Sequence, residues 1–553
     1  MVLNGVKINK SLKKLYEEKG YWKSATLLNR WKDSVSQFGG REFVSDDHGI
    51  RYNYSQLDEK ADALAGFLEK CGIGPEDVVS FQIPPRSEFV ITLFACLKIG
   101  AVPAPLGMCF VDDELKGLLS MLGSSLHIST ATYRVSNRTE MMLRLKNELH
   151  LLRDLIFVCD SESEIAALPE GAGDLKEIIA YTTPPPKASP ATGDDVALIL
   201  CTSGTTKGCK AVMYTHNNII YSEEVFNETL GLTDEDSIFM PAPLSHATGL
   251  HHGIISPMLR GGRLVLEERF SCSEAVRIMN RERCTYSMGA TPFIYDLLKQ
   301  LEESGSSLPY LRFYICGGAP VPKELVQRGW SKFEILVCEC YGSTESVPHV
   351  CVRPEECLDN LGKWSGRAMG AIEVRIVDKN RQPVPPGVIG EEASRGPNVF
   401  VGYLGAPALT DAALDDEGWF YSGDLCVSDE NGNIKMVGRE KDIIIRGGEN
   451  LNSNDINENL EGCPGVADHT VIGVPDERLG ERICAFVALA PGTETVTKED
   501  IIAYLQSKKV HKRHWPERIE IIEKIPRTES GKVKKHVLAG ELAKRMSREA
   551  DKA

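Results

Sequence analysis

Between Leu198 and His216 the chain reads LILCTSGTTKGCKAVMYTH, an apolar run followed at once by hydroxyls, glycines and lysines. Thr202, Ser203, Thr205 and Thr206 are hydroxyl donors. Gly204 and Gly208 let backbone N–H groups converge without a side-chain obstacle, and Lys207 and Lys210 carry positive charge. Those are the parts a polyphosphate requires: several donors, a concave backbone, and cations that offset its charge. The Walker arrangement is excluded. It needs Lys and a hydroxyl directly after its second glycine, whereas Cys209, Lys210 and Ala211 follow Gly208 here. Taken alone, the segment is open between a phosphate cradle and an ordinary polar turn, because Gly, Ser and Thr also cluster in loops.

A cradle of this kind needs a strand leading into it and a layered scaffold around it. LIL predicts a buried strand, and the first half of the chain alternates apolar runs with helical patterns: DVVSFQI, FVITLFACLKIG, AVPAPLG, LHIST and LRDLIFVCD. Such alternation predicts an α/β fold with parallel strands and helices on both faces. TTPPPKASPATGDD, residues 182–195, reads as a linker between two such lobes. After about Cys351, short runs such as IEVRIVD, GVIGEEASRG and GNIKMVG, separated by Gly, Pro and Asn-Gly, predict a small β-rich lobe. From about Glu440, HTVIGV, RICAFVALA and KEDIIAYLQSKK predict a separate α+β domain of roughly 110 residues. The expected organisation is a large N-terminal domain over 1–439, in lobes of about 1–190, 191–350 and 351–439, and a C-terminal domain over 440–553.

With 553 residues the chain exceeds the size at which one core keeps growing. Lys and Arg number 63 against 78 Asp and Glu, a net charge of −15 that argues against non-specific binding to nucleic acid or an anionic membrane. The N-terminal segment has no apolar core of signal-peptide length, and FVITLFACL is interrupted by Lys98 well short of a membrane span. A cytoplasmic chain is expected. None of the 16 cysteines forms a CxxC pair or a zinc-finger spacing, so buried reduced thiols are expected. There is no internal repeat and no low-complexity tract.

Further polar segments follow in order: PLSHATG (243–249), CGGAP (316–320), YGSTES (341–346), YSGDL (421–425), VGREKDIIIRGGEN (437–450) and PRTESGKVKK (526–535). Together with the hydroxyl-rich loop this series resembles the adenylate-forming superfamily of acyl-CoA synthetases, peptide-synthetase adenylation domains and luciferases, over about residues 40–540. GATPFIYDLL, EEASRGPNVFVGY and PAPLSHATG are more narrowly similar to bacterial short- to medium-chain fatty acyl-CoA synthetases and cyclohexanecarboxylate–CoA ligases.

The resemblance implies an AMP-forming acid:CoA ligase using ATP, Mg²⁺ and coenzyme A. A carboxylate resists attack because its oxygens are already negative; conversion to an acyl-AMP supplies a leaving group for a second nucleophile. By resemblance, Thr202–Lys207 and Lys210 hold phosphates, Thr344 donates to the α-phosphate, and Glu345 is the magnesium ligand. Tyr341, Gly342 and Ser343 adjoin the nucleotide, Tyr341 against adenine, and Gly317, Gly318 and Ala319 bring backbone close to adenine and acyl group. Asp424 accepts both ribose hydroxyls, supported by Arg439, and Lys532 bridges carboxylate and α-phosphate in the first step. The C-terminal domain becomes a mobile cap swinging about Lys441, with Gly447 and Gly448 flanking the pantetheine path.

His246, Ala247, Gly289 and Ala290 are expected at the acyl pocket; for His246 the pocket is favoured over the alternative of a structural histidine beside a buried Ser. PLSHATG lacks the FDxS pattern of amino-acid activators, which disfavours amino acids as substrates. The basic run KKVHKRH (508–514) reads either as a contact for CoA phosphates or as a solvated helix end. The chain also departs from the family's TSGTTGxPKG: Lys207, Cys209 and Ala211 replace Gly, Pro and Gly, and Ser453 replaces a Pro in GGENLNSNDIN. The added Lys207 charge is expected to tighten pyrophosphate binding and favour the reverse reaction, ATP from acyl-CoA, AMP and pyrophosphate. Two other functions stay open: loading a carrier-protein phosphopantetheine, and a degenerate nucleotide-binding protein. The oligomeric state is not readable.

Overall fold

A computed structural model describes residues 3, 5–181, 186, 191–202, 209–318, 321–439, 442–446, 449–476, 479–528 and 531–550. The chain forms two compact units, residues 1–374 with 393–421, and residues 375–392 with 422–553. By contacts, then, residues 375–392 and 422–439 group with the C-terminal segment.

The first unit is α/β. One sheet is parallel throughout, with strands in the spatial order Val102–Pro105, Val78–Gln82, Leu126–Thr130, Asp154–Val158 and Gly173–Asp174. The run FVITLFACL lies in the helix Ser87–Lys98, buried at every position, and a helix with no solvent side needs no polar face. Lys98, which ends that run, is itself 4% exposed and is held by Asp58 at 2.5 Å and Asp62 at 2.7 Å. Among the described residues no helix is long and apolar enough to cross a membrane.

A second sheet carries the parallel strands Glu42–Ser45, Arg263–Leu266, Ser237–Met240, Tyr286–Gly289, Phe313–Gly317 and Leu336–Tyr341 in that spatial order. Its first member comes from far upstream: Val44 pairs with Leu264, and Arg51–Asn53 closes the edge antiparallel to Glu42–Ser45. Charge staples this hairpin in place. Glu282 accepts from Arg51 at 2.5 Å and from Arg263 at 3.2 Å, while Glu42 accepts from the same two arginines at 3.0 and 2.8 Å.

LILCT, expected to be a strand, is Val196–Thr202, paired antiparallel with Lys210–Thr215. Gly402–Tyr403 adds to the outer side of the latter, Val212 opposite Tyr403.

In the second unit, Phe420–Ser428 and Asn433–Arg439 form a hairpin around Asn431-Gly432, where Gly432 has φ +77 and Asp429 accepts from the amides of Asn431 and Asn433. A further sheet orders Glu449–Asn452, Ile443–Arg446, Gly480–Leu489 and Val466–Asp476, with Arg518–Ile521 parallel to Gly480–Leu489. Ile483, Ala485 and Val487 face one apolar cluster and Cys484 and Phe486 the other, so RICAFVALA reads as unbroken apolar rather than alternating.

The Glu282 staple is pH-dependent. Burial opposes its charge, but the hydrogen bonds from Arg51 and Arg281 and the charge of Arg263 outweigh that and pull the carboxyl down to about 2. An unfolded glutamate titrates near about 4.3, so this contribution is complete above that pH and is lost as pH falls through about 2. Glu282→Gln is expected to be less stable at neutral pH and to show a flatter decline of the urea midpoint on acidification than the parent.

Candidate active site

Parallel strands deliver their carboxyl ends to one edge of a sheet, and loops leaving that edge are where α/β proteins bind ligands. Three of the motif segments leave adjoining strands there. Gly289 is level with Cys316, and Gly317 with Cys340, so GATP, CGG and the Tyr341 turn emerge side by side. A Cβ on Gly289 would lie 3.3 Å from Pro241, which begins the loop to His246. Thr291, just past Ala290, has its hydroxyl 3.3 Å from Cys316 Sγ. The structure therefore gathers His246, Ala247, Gly289, Ala290, Gly317, Gly318, Tyr341, Gly342, Ser343, Thr344 and Glu345 along one edge.

Each of these turns is locally braced. Gly318 has φ +87, a conformation that disfavours any side chain. Buried Glu339 accepts from Ser365 Oγ at 2.6 Å and from the Val321 amide at 3.1 Å, tying the strand before Tyr341 to the chain just past CGGAP. Ser343 N donates to Ser346 O at 3.1 Å, and Ser346 N returns a bond to Ser343 Oγ at 3.2 Å. Tyr341 is buried, its ring edge-on to His349 with centroids 5.2 Å apart. Thr344 and Glu345 are half-buried.

Glu345 reaches the hydroxyl-rich loop through a residue the motif reading did not single out. Tyr403 Oη donates to Glu345 Oε1 at 2.8 Å and accepts from Lys210 Nζ at 3.3 Å, the Lys210 ammonium lying 4.6 Å from the centroid of the Tyr403 ring. Burial, with the adjacent Glu345 charge, holds the Tyr403 phenol far above its ordinary value, so it stays a donor. Thr202 and Lys210 face each other across the base of the loop. A cation and a carboxylate thus share one hydroxyl where the loop begins. The only trace of Tyr403 in the sequence is its place in GPNVFVGY; the pairing of Tyr403 with Val212 is what brings it to Lys210.

A magnesium ion bound here would have few protein ligands. Among the described residues no group of three or more His, Cys, Asp or Glu could hold a metal. One carboxylate, Glu345, with phosphate oxygens and water completing the sphere, is the way Mg²⁺ is commonly held beside nucleotides, so the residues present fit it.

His246 is half-buried; its Nδ1 accepts from the Thr248 amide at 3.2 Å, and Ala247 precedes a π-helix, Thr248–Ile255.

In the second unit Asp424 and Arg439 are cross-strand partners, with Arg439 Nε 2.8 Å from Asp424 Oδ1. Ser422 Oγ accepts from the Asp424 amide at 3.1 Å and donates to Glu392 O at 3.0 Å. Lys532 is exposed, on a turn closed by Thr528 N to Lys532 O at 2.7 Å and Lys532 N to Thr528 Oγ1 at 3.0 Å. Arg527 braces that turn through Asp468 at 2.8 Å and Gly531 O at 3.0 Å. Ser453 is fully buried at the first turn of Ser453–Leu460 and accepts from Lys535 Nζ at 3.1 Å; Lys535 also pairs with Asp442 at 3.2 Å. Of the basic run, Lys508 ends a helix and donates to Asn459 O and Glu461 O, both at 3.2 Å. Ser203, Gly204, Thr205, Thr206, Lys207, Ala319, Lys441, Gly447 and Gly448 lie outside the described residues.

Residues 31–404 match the AMP-binding enzyme family, and residues 455–532 match the AMP-binding enzyme C-terminal domain. A medium-chain fatty-acid–CoA ligase of Escherichia coli (strain K12) is 40% identical over 541 residues, 98% of this chain and 94% of that protein. A feruloyl-CoA synthase of an Amycolatopsis species is 32% identical, across 90% of this chain and 94% of its own. Among solved structures, ATP-bound MatB from Rhodopseudomonas palustris superposes with a TM-score of 0.82 at 25% identity, covering 94% of this chain and 99% of that one.

Tyr403→Phe keeps the ring beneath Lys210 and removes only the shared hydroxyl. It is expected to weaken ATP binding about tenfold in calorimetric titration, the worth of a hydrogen bond to a charged group, with Tyr403→Ala weakening it further.

Proposed function

The chain belongs to the AMP-binding enzyme family, and from that footing we propose that it joins a carboxylic acid to coenzyme A at the expense of ATP. A carboxylate oxygen attacks the α-phosphorus, the bond to the pyrophosphate oxygen breaks, and acyl-AMP and pyrophosphate result. The CoA thiol, losing its proton, then attacks the acyl carbon; AMP leaves and the thioester remains. A short- or medium-chain fatty or alicyclic acid is the proposed substrate class. Its support is the 40% identity to the E. coli medium-chain ligase across almost the whole chain.

The observation that carries the reading is the Lys210–Tyr403–Glu345 contact beside the carboxyl ends of the strands. Two anions, acid and triphosphate, have to be brought together, and fixed opposing charges in a partly dry site lower that cost. In this reading Lys210, Thr202 and the hydroxyls of Ser203, Thr205 and Thr206, together with Lys207, hold the phosphates. Thr344 donates to the α-phosphate and Tyr341 lies against adenine. Asp424, oriented by Arg439, takes the ribose hydroxyls. Glu345 would hold Mg²⁺, which would neutralise phosphate charge. Lys532 would bridge acid and α-phosphate, on a C-terminal domain swinging about Lys441 and carrying Gly447 and Gly448 toward the thiol. Lys207 would strengthen pyrophosphate binding and with it the reverse reaction. A reducing cytoplasmic setting is supported by all sixteen cysteines being outside disulfides.

An acid panel with ATP and CoA, following AMP, pyrophosphate and thioester, tests the activity; no acid-dependent AMP from any member would defeat it. Lys532→Ala is expected to slow adenylation by about 10²–10³-fold while sparing thioester formation from supplied acyl-AMP, and Lys441→Pro to do the converse. Loss of the same half-reaction in both would rule out the swing. Lys207→Gly is expected to lower pyrophosphate affinity, read as a higher KM for pyrophosphate in the reverse assay.

A further inference from the structure

The helix His216–Leu230 buries a carboxylate that no step above employs. Glu223 is 0% exposed, and so are the two imidazoles it meets, His251 and His252, on the π-helix Thr248–Ile255. His252 Nδ1 lies 2.8 Å from Glu223 Oε2, and His251 Nδ1 lies 3.5 Å from Oε1. Phe226 stacks on His252 at 4.1 Å, and Tyr214 meets His251 edge-on at 5.1 Å. Burial alone would drive the Glu223 carboxyl up, yet the neighbouring imidazoles, above all the hydrogen-bonded His252, hold it below the usual carboxylate range. Among the described residues His252 Nε2 and both ring nitrogens of His251 have no hydrogen-bond partner. Removing the Glu223 carboxylate would therefore take from the buried His252 ring its hydrogen-bond partner among the described residues.

The helix that these rings anchor is of a rare kind. A π-helix gives up regular i→i+4 bonding and tends to persist where function demands it. This one begins immediately after His246 and Ala247, and it is pressed against the loop that carries them. A Cβ on Gly249 would fall 2.2 Å from Pro243 O and 2.8 Å from Leu244 Cα, and one on Gly253 would fall 3.0 Å from Met240. Leu250 N donates to His246 O at 3.0 Å. With no slack between helix and loop, a displacement of the helix displaces His246.

We propose that Glu223, through His252, is a positioning residue that fixes the His246 side of the acyl pocket and thereby sets which acids the enzyme accepts. The proposal rests on the reading of His246 as pocket lining. A core pair of no functional consequence would lower stability and affect all acids alike; a positioning pair alters selectivity among them.

The test is steady-state kinetics of the full-length enzyme with a series of straight-chain saturated acids. Glu223→Gln is expected to raise the KM for the preferred acid about tenfold and to shift the preferred chain length, leaving the KM for ATP within about twofold. His252→Asn, whose amide offers a donor near the Nδ1 position, should retain most of the parental profile, and His252→Phe should lose it. This second pair decides the matter if Glu223→Gln does not fold. A folded Glu223→Gln with parental acid KM and profile overturns the proposal, as does an equal fall in kcat for every acid at unchanged acid KM. A parent that makes thioester from no acid defeats the ligase reading itself. A shifted profile in His246→Ala beside a parental one in Glu223→Gln defeats only the present inference, and parental profiles in both defeat the pocket reading along with it.

Discussion

Parallel strands cannot be joined by tight turns. Each needs a crossover that returns the chain to the opposite edge, so every carboxyl end falls on the same edge of the sheet. In the first unit that constraint sets Gly289, Gly317 and Tyr341 on adjoining strands in matched register, so three loops of unrelated sequence must emerge together. The remaining parts are hung on this edge by short polar ties: Glu339 to the chain after CGGAP, Ser343 to Ser346, and Tyr403 to Glu345.

The first unit accommodates charge in its interior by pairing it. Lys98 sits between Asp58 and Asp62, and Arg86, 5% exposed, is clasped by Asp160 and Glu268. Glu223 is hydrogen-bonded to His252. A buried ion pair adds little net stability over an apolar substitute, but breaking one strands a charge in a poor solvent. Such pairs favour one arrangement over its near neighbours, which is what a site made of several loops needs.

What could be read in advance was local. The apolar run LIL is a strand, FVITLFACL stops at Lys98 because it is a buried helix rather than a membrane span, and Asn431-Gly432 turns a hairpin. The motif residues could be named because the order of their segments resembles that of the adenylate-forming superfamily; the hydroxyl-rich loop by itself left a phosphate cradle and a polar turn both open. What could not be read was set by distant pairing. Tyr403 gains its place only when Gly402–Tyr403 joins the strand Lys210–Thr215. Glu223 looks like one more polar residue in EEVFNE until a helix some thirty residues on supplies His252. Nothing in TGLHHGII marks it as a π-helix, since that geometry differs from an α-helix by one residue of hydrogen-bond register. Ser453 is a comparable case, its tie to Lys535 revealed only by the folded chain.

The hairpin Glu42–Asn53 has a consequence for how the chain is made. Its partner strand, Arg263–Leu266, leaves the ribosome more than two hundred residues later. Until then the early segment presents an unsatisfied strand edge, and the loop that must close to satisfy it is among the most costly in entropy for a chain of this kind. Vectorial synthesis therefore obliges the nascent chain to wait, and the wait is where chaperone contact and misassembly compete.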